Sequence, residues 1–274
     1  MSIRKQHHAN NALEWSDETM QEFAEDMGNS MFDMEWLPPG RGLWMMGTDF
    51  CYERGSMALN NCSATCTEVD LVHSAEWTMD DLMNGVGVEF STKWRGTATK
   101  PDKTKGEVSI IPDSREGWAD SLTRLMCSYI DSPKHGKNQY PVFDYSQIRK
   151  KGETIKGFGG HASGSEPLEK MHKRVEGYLD AFCEGELKTN ALVWTEVEGG
   201  KWEEVNTPIQ KPYGHTRLIA DVFNAIGACV VAGNVRRSAE IALGSEGDDE
   251  FIDLKNYEGK KQNEAKLDGC QIIR

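Results

Sequence analysis

The sequence predicts an α/β fold in which helices alternate with short strands that pair into a mostly parallel sheet. Apolar residues recur at spacings of three and four in several segments, and short apolar runs bounded by turn residues separate these segments. With 274 residues, the chain can form one large domain or two small ones. A hydrophobic content of 38% and eight tryptophans exclude a disordered or low-complexity chain.

The amino-terminal part is expected to begin with a helix and then to lose regular patterning. Ser16 is a helix cap before an acidic first turn, which predicts a helix to about Gly28. Residues 31–62 are rich in Gly, Pro, Trp and Met, and residues 38–42 are expected to be neither regular helix nor central strand. The Met and Trp side chains of residues 31–57 are expected in the core.

The centre of the chain is expected to alternate helices, strands and loops. Helices are predicted at 76–83, 113–129 and 167–182, strands at 85–91 and 142–145, and surface loops at 95–107 and 131–139. The second of these helices places Trp118, Leu122, Leu125, Met126 and Tyr129 on one face.

The carboxyl-terminal part continues this alternation. Residues 185–214 are predicted to be an insertion with a hairpin around Gly199-Gly200. A helix at 216–232 that stops at Gly233, a loop at 234–238, a strand at 239–243 and a short helix at 248–255 follow. We therefore expect a helical segment at 1–30, a main body at 31–257 and an unpatterned tail at 258–274.

Charge and cysteine content restrict the classes of function. A net charge of −13 argues against a protein that coats DNA or RNA, although basic segments at 148–151 and 235–237 could bind small anions. Seven cysteines are an odd number, no apolar signal segment opens the sequence, and no run of about 18 apolar residues occurs. These features favour a protein of the reducing cytoplasm without a membrane span.

A series of motifs gives the sequence a family resemblance. The motif Trp36–Gly47 (WLPPGRGLWMMG) is followed in order by six others, which are Ala58–Cys62 (ALNNC), Gly85–Val88 (GVGV), Asp113–Trp118 (DSREGW), Phe143–Ser146 (FDYS), Gly157–Gly164 (GFGGHASG) and Val231–Glu240 (VAGNVRRSAE). In this order they resemble adenosylcobalamin-dependent (class II) ribonucleoside-triphosphate reductases, over about four-fifths of the chain. The resemblance implies the first half of the ten-stranded α/β barrel of ribonucleotide reductases, incomplete in this chain.

The resemblance also implies that Cys62 is one thiol of the redox pair that reduces the ribose 2′-hydroxyl. Two alternatives stay open: Cys62 could be an inert buried thiol, or it could form half of a zinc site with Cys66, although no second Cys/His pair with suitable spacing occurs. No metal ligands are therefore assigned, and no role is assigned to Cys66 or His161.

Nucleotide-binding residues follow from the same resemblance. The residues implied for effector or substrate nucleotides are Asp81, Arg149, Lys150, Asn234, Arg236 and Arg237. The residues implied for the wall of the substrate pocket are Asn60, Asn61, Gly160 and Ser163. The alternative for the acidic helix around Asp81 is a solvated face, and for Arg236 and Arg237 a solvated loop.

The partners implied are a ribonucleoside di- or triphosphate substrate, a deoxynucleotide effector and a thioredoxin-like reductant. The second redox cysteine and the radical cysteine are expected in a complementing carboxyl-terminal half, encoded separately in a split gene, which would bind most of the adenosylcobalamin. The segment between Ser91 and Asp113 leaves little room for an insertion that could replace a dimer partner, so a homodimer is also expected. The alternatives are a nucleotide-binding remnant or regulatory module without chemistry, and a cysteine-based metal protein.

Overall fold

The computed structural model of the protein describes residues 16–155, 160–197, 201–232 and 239–254, with the backbone alone at 189–197 and 201–211. The chain divides into two units, Met1–Asn61 and Cys62–Arg274. Within the described ranges, no helix is both long and apolar enough to cross a membrane.

The first unit contains three helices, α1 (Asp17–Phe32), α2 (Gly40–Met45) and α3 (Asp49–Arg54), and a 3₁₀ turn at Met57–Leu59. Ser16 caps α1 as predicted, because its side chain accepts a hydrogen bond from the Thr19 amide. The helix continues beyond the predicted end at Gly28 to Phe32, with Asp33 as its cap, and it stops there because the next residue, Met34, has a φ of +59°.

Two expectations for this unit are wrong. Residues 40–42 are helical, because Pro39 lies at the position before the first turn, where a missing amide hydrogen costs no hydrogen bond. The Met and Trp side chains are mostly not core: Trp44 and Met46 are exposed, and Met45 is buried. Short helices enclose only a small interior, so most of these large side chains have no room inside the unit.

The second unit contains the parallel strands and the longer helices. Its elements are β1 (Cys62–Thr65), α4 (Leu71–Met83), β2 (Gly87–Ser91), β3 (Glu107–Ile110), α5 (Arg115–Tyr129), β4 (Pro141–Asp144), α6 (Glu166–Glu184), β5 (Glu186–Val197), β6 (Lys201–Pro212), α7 (His215–Val231), β7 (Glu240–Leu243) and α8 (Asp249–Asp253). The predicted strands near 85–91, 142–145 and 239–243 and the helices near 113–129, 167–182 and 216–232 are confirmed.

Three features of this unit were not predicted. Strands β1 and β3 were missed, because β1 (CSAT) has no large apolar side chain and β3 (EVSI) begins at the end of a Thr/Lys/Gly-rich segment that predicts a loop. Helix α4 begins before the predicted start at Glu76, because the Asp70 side chain accepts a hydrogen bond from the His73 amide and caps the helix there.

The predicted helix stop at Gly233 and the predicted loop at 234–238 lie outside the described residues.

The strands pair mostly in parallel, as predicted. Strands β1, β2 and β7 form one parallel sheet in that order, and β3 pairs with β4 in parallel. Strands β5 and β6 pair antiparallel, where the hairpin was predicted; its tip, residues 198–200, is outside the described ranges.

One face of the β1-β2-β7 sheet is covered by helices. Helices α4 and α7 pack against this sheet, α5 packs against α4, and α6 packs against both α5 and α7. Val88 and Phe90 of β2 point into this interface, where the Phe90 ring stacks on Phe223 of α7 with centroids 4.1 Å apart. The buried core of the unit therefore lies between the sheet and the four helices.

The opposite face of the sheet is open. Ile241 of β7 is 59% exposed and Leu243 is 46% exposed, whereas Val88 on the covered face is 2% exposed. The β3-β4 pair likewise exposes Val108 and Val142, which lie opposite each other in register. Exposed apolar sheet faces of this kind are what a partial barrel presents when the rest of the barrel is absent.

The two faces of the sheet should respond differently to truncation. Val88→Ala should lower the free energy of unfolding by about 2 kcal/mol, because it removes packed methyl groups from the interface with the helices. Ile241→Ala should change it by less than about 0.5 kcal/mol, because the side chain is already in solvent. Urea denaturation measures both, and equal losses would contradict the assignment of the faces.

A buried carboxyl group lies at the start of β7. The Oε1 atom of Glu240 is inaccessible to solvent and has no hydrogen-bond partner among the described residues. The carboxyl packs against Gly227 of α7, where an added Cβ would lie 2.8 Å from Oε2. Burial raises the pKa of Glu240 to about 8.

Glu240 should therefore make stability depend on pH. Between the ordinary pKa of about 4.5 and the folded pKa of about 8, the folded state holds a proton that the unfolded state has lost. The Glu240 carboxyl should contribute a downward slope to the free energy of unfolding, about 3–5 kcal/mol through this window, on which the opposite contribution of buried His172, whose pKa burial lowers to about 3, is superimposed. Glu240→Gln should remove this slope in urea denaturation at a series of pH values. Glu89→Gln, on the open face of β2, should keep the slope; a slope unchanged in Glu240→Gln would contradict the assignment.

Candidate functional site

Cys62 lies at the first position of β1, on the open face of the sheet. Its neighbour Ser63 points to the covered face, where its Oγ donates a hydrogen bond of 2.5 Å to Oδ2 of Asp81. Because side chains alternate along a strand, Cys62 points the other way, and it is exposed as a free thiol. Its partner in register on β2 is Gly87, which has no side chain to cover the sulfur. The inert, buried alternative for Cys62 is therefore not supported.

Asp81 lies beneath β1 rather than in an open site. The residue is fully buried on α4, and its Oδ1 atom has no hydrogen-bond partner among the described residues. Burial raises the pKa of Asp81, and the nearby charge of Asp80 adds to this shift. A nucleotide ligand has to be reachable, so this position argues against direct contact with an effector. The Ser63 bond makes Asp81 an anchor that holds the strand of Cys62 against α4.

The zinc alternative for Cys62 and Cys66 finds no completing ligands. Both thiols are exposed, and Cys66 contacts Ser91, whose Oγ lies 3.5 Å from its sulfur. Within the part of the chain that the structure describes, neither cysteine belongs to a group of three potential metal ligands. A structural zinc site needs four ligands, so this pair lacks half of a site.

Arg149 and Lys150, two of the residues implied for nucleotide binding, lie on the first turn of a loop that begins at Ile148. Nε of Arg149 forms an ion pair of 2.7 Å with Oδ2 of Asp113, at the start of α5. The Lys150 side chain is exposed, and its backbone amide donates to Glu153. Ile148, directly before Arg149, is buried, and its packing fixes the start of the loop.

The rest of this loop folds back on itself as a small hairpin. The Gly152 amide donates to the Ala162 carbonyl at 2.9 Å, and the Ala162 amide donates to the Glu153 carbonyl at 2.7 Å. Gly152 and Gly160 have φ values of +94° and +88°, which favour glycine. Gly160 is exposed, and the tip of the hairpin, residues 156–159, lies outside the described ranges.

A cavity of about 560 Å³ lies between this hairpin, the start of α6 and the end of α7. Its wall contains Ser163, predicted for a substrate pocket, and small side chains at the end of α7. The remaining lining residues include Lys151, Gly152, His161, Glu166, Lys170, Arg174, Ala225, Ala228, Cys229 and Ala232. A volume of this size is within the range of small-molecule sites, about 300–1,000 Å³.

The cavity is lined by three cations, Lys151, Lys170 and Arg174, and one carboxylate, Glu166. Lys170 pairs with Glu166 at 2.6 Å, and this hydrogen bond holds the pKa of the Glu166 carboxyl below its usual range. The net surplus of positive charge suits a phosphate group. The sequence analysis missed Lys170 and Arg174, although their spacing of four residues on a helix was a usable signal.

The five other predicted residues are Asn60, Asn61, Asn234, Arg236 and Arg237. Asn60 and Asn61 are exposed at the end of the first unit. Asn234, Arg236 and Arg237 lie outside the described residues, directly after the last turn of α7, whose Ala232 lines the cavity. His161, to which no role was assigned, lies in the cavity wall, with its Nδ1 atom 3.1 Å from the Gly152 carbonyl oxygen.

Two family models match the chain. The model described as "B12-dependent ribonucleotide reductase, insertion domain" matches residues 71–179, and the model described as "Ribonucleotide reductase alpha domain" matches residues 1–48.

Curated relatives match nearly the whole chain. The adenosylcobalamin-dependent ribonucleoside-triphosphate reductase of Euglena gracilis is 40% identical over 262 residues, which are 92% of this chain and 32% of the relative. The probable enzyme of the same name from Dictyostelium discoideum is 37% identical, over 90% of this chain and 31% of the relative. The enzyme from Lactobacillus leichmannii is 29% identical, over 89% of this chain and 36% of the relative.

A solved structure has a similar fold. The crystal structure of a B12-dependent (class II) ribonucleotide reductase superposes with a TM-score of 0.66 and 24% identity, and the match covers 93% of this chain and 39% of that chain. The fold is therefore α/β and corresponds to part of the reductase barrel, as predicted. The chain spans about a third of the length of the curated relatives that it matches. Over the residues that these relatives match, the chain belongs to the family of adenosylcobalamin-dependent ribonucleoside-triphosphate reductases.

Proposed function

We propose that this chain supplies one redox thiol and an effector-nucleotide site to a B12-dependent ribonucleotide reductase that converts ribonucleotides to deoxyribonucleotides. The observation that carries the proposal is the exposed Cys62 thiol, at the start of a parallel strand within a reductase motif, on the open face of the sheet. The substrate would be a ribonucleoside di- or triphosphate.

The chemistry requires a second thiol. Replacing the ribose 2′-hydroxyl by hydrogen consumes two electrons and two protons and releases water, and two thiols supply both as they close to a disulfide. Cys62 would be one of these thiols. Its partner would lie outside this chain, as would the cysteine that carries the thiyl radical. An exposed disulfide at Cys62 could be reduced again by a thioredoxin-like dithiol.

The open sheet faces support a division of the active site. Ile241 and Leu243 lie on the same face as Cys62, and water would have to leave this face for radical chemistry to be protected. The remainder of the reductase would cover it, whether on the same polypeptide or on a separate one. The expected homodimer stays a prediction; the insertion-domain model matches residues 71–179, which include the segment between Ser91 and Asp113.

Adenosylcobalamin is the cofactor of the family, and when bound it supplies the radical that starts the reaction. The cavity described above does not fit it, since a corrin ring with its nucleotide arm is far larger than about 560 Å³ of space lined by cations. We therefore assign the cofactor to no residue of this chain. We propose that the complementing portion binds most of it.

The cavity fits the phosphates of a deoxynucleotide effector better. Lys151, Lys170 and Arg174 would hold the phosphates, and the small side chains of α7 leave room for the rest of the nucleotide. Arg149 and Lys150 begin the same loop, and Arg236 and Arg237 follow α7 in the sequence. We propose Arg149 and Lys150 as further phosphate ligands, and Arg236 and Arg237 on the family resemblance alone.

A second candidate function is a nucleotide-binding module without chemistry. The observation that favours it is that three cations, Lys151, Lys170 and Arg174, converge on one cavity, whereas the reductase motifs of this chain identify Cys62 alone as a redox thiol. The two candidates differ in whether turnover depends on Cys62.

Turnover should require Cys62. The full chain, mixed with the remaining portion of a close relative, adenosylcobalamin, a dithiol and a ribonucleotide, should form deoxyribonucleotide, and Cys62→Ser should reduce this to the level seen without the chain. Cys66→Ser is the matched control, because it removes an exposed thiol four residues away and should leave turnover unchanged. Nucleotide binding without turnover in any mixture would favour the binding module instead.

Nucleotide binding should depend on the cations of the cavity. Arg174→Ala should weaken binding of a deoxynucleoside triphosphate to the full chain roughly 10- to 100-fold, because it removes charged hydrogen bonds to phosphate. Lys173→Ala is the control, since this neighbouring residue of α6 is exposed but does not line the cavity. Isothermal titration calorimetry measures both affinities. Equal weakening by the two variants would mean that general charge, rather than the cavity, binds the nucleotide.

A further inference from the structure

Three side chains that can bind metal ions converge beside the start of α4, apart from Cys62 and from the cavity. Nδ1 of His73 lies 3.2 Å from Oε2 of Glu76, and Nε2 of His135 lies 2.9 Å from the same oxygen. The three ligand atoms all lie within 4.8 Å of one another. Among the described residues, no other group of three His, Cys or carboxylate side chains meets this condition.

The backbone holds these residues in place. His73 and Glu76 lie three residues apart on α4, and therefore on one side of the helix. His135 lies on a separate loop, and the link between the loop and the helix is Asp70. This buried carboxylate caps α4, accepts a 2.6 Å hydrogen bond from Oγ of Ser132, and accepts another from the Lys134 amide at 3.1 Å.

The loop that carries His135 is itself a tight turn. Ser132 and Gly136 exchange backbone hydrogen bonds, and Gly136 has a φ of +72°, which favours glycine. The His135 amide donates to Oγ of Ser132, the same hydroxyl that binds Asp70. The imidazole of His135 is therefore positioned toward Glu76 by a network of hydrogen bonds and not by chance contact.

A cation already occupies the centre of the group. Nζ of Lys134 lies 3.0 Å from Nδ1 of His73 and 3.2 Å from Oε2 of Glu76. These two atoms thus favour a positive charge between them. The Lys134 side chain is half exposed, so it can move into solvent and leave the position to another cation.

We propose that His73, Glu76 and His135 bind a divalent transition-metal ion of the zinc class, and that the Lys134 ammonium competes with the ion for the site. Two imidazoles select zinc, cobalt or nickel over magnesium or calcium, which prefer oxygen ligands. Metal–ligand distances of about 2.0–2.2 Å at tetrahedral or octahedral angles place ligand atoms roughly 2.8–3.6 Å apart, in agreement with the two measured spacings. Three protein ligands leave a position for water or an anion.

The test is metal titration of the full chain. Binding of Co²⁺, followed by its visible absorption, and of Zn²⁺, followed by calorimetry, should show one equivalent per chain. The titrations use a His7→Asn/His8→Asn background, because these two histidines are adjacent in the sequence and could bind a metal ion by themselves. His135→Asn and Glu76→Gln should each weaken binding at least about tenfold, because each removes one of three ligands.

Lys134 provides the sharper measurement. Lys134→Met should tighten metal binding roughly tenfold, because the ion no longer displaces a hydrogen-bonded ammonium. Lys137→Met is the matched control: it removes the same charge from the same loop, but Lys137 contacts Thr99 and not the three ligands. Its metal affinity should stay within about twofold of the unsubstituted chain, since a distant exposed charge contributes little.

Several results would overturn the proposal. These are the absence of stoichiometric binding in both the unsubstituted chain and Lys134→Met, affinities unchanged by both ligand substitutions, and equal tightening by Lys134→Met and Lys137→Met. Thermal unfolding without metal checks that each variant folds. If Glu76→Gln does not fold, His135→Asn decides alone, because His135 is on a surface loop.

Discussion

The packing of α4 and α7 against one face of the β1-β2-β7 sheet is the constraint on which the rest of the second unit depends. Parallel strands cannot be joined by tight turns, so each crossover has to return over a face of the sheet, and here the helices bury that face. The stacking of Phe90 on Phe223 lies in this interface. Because only one face of this sheet is covered, β1, β2 and β7 each have a buried side and an open side.

This division places the candidate chemistry. Alternation along β1 sends Ser63 toward α4 and Cys62 toward the open face. The hydrogen bond from Ser63 to the buried Asp81 joins the strand to the helix layer, so the position of the thiol depends on a carboxylate that never reaches solvent. Under the proposed function, the open face would give the thiol access to a substrate and to a reductant, and its apolar side chains would be covered by the remainder of the reductase.

Charge is distributed unevenly in a way that the overall composition hides. The chain has a net charge of −13, yet the cavity between the loop hairpin, α6 and α7 is lined by three cations and one carboxylate. The small side chains at the end of α7 leave space beside these cations. A second local arrangement, at the start of α4, binds a lysine ammonium between an imidazole and a carboxylate. We propose them as local sites for ions of opposite sign in one acidic protein.

The sequence by itself determined the order of the longer elements, the parallel pairing and the family. Helices such as α5 and α7 bury side chains at spacings that a single sequence displays, and the reductase motifs surround Cys62 and Gly160 in a fixed order. Strands β1 and β3 were not predicted, because β1 (CSAT) has no large apolar side chain and β3 (EVSI) begins at the end of a Thr/Lys/Gly-rich segment; the early start of α4 was missed because a cap depends on one side chain.

Only the tertiary structure decided which side chains meet. Asp81 is an anchor and not an open ligand, because α4 packs beneath β1 and removes its carboxyl group from solvent. Lys151 and Arg174 share a cavity, and Glu76 and His135 share a cluster, although each pair is distant in sequence. Local patterns follow from the backbone periods of helices and strands, whereas these encounters depend on how the elements pack.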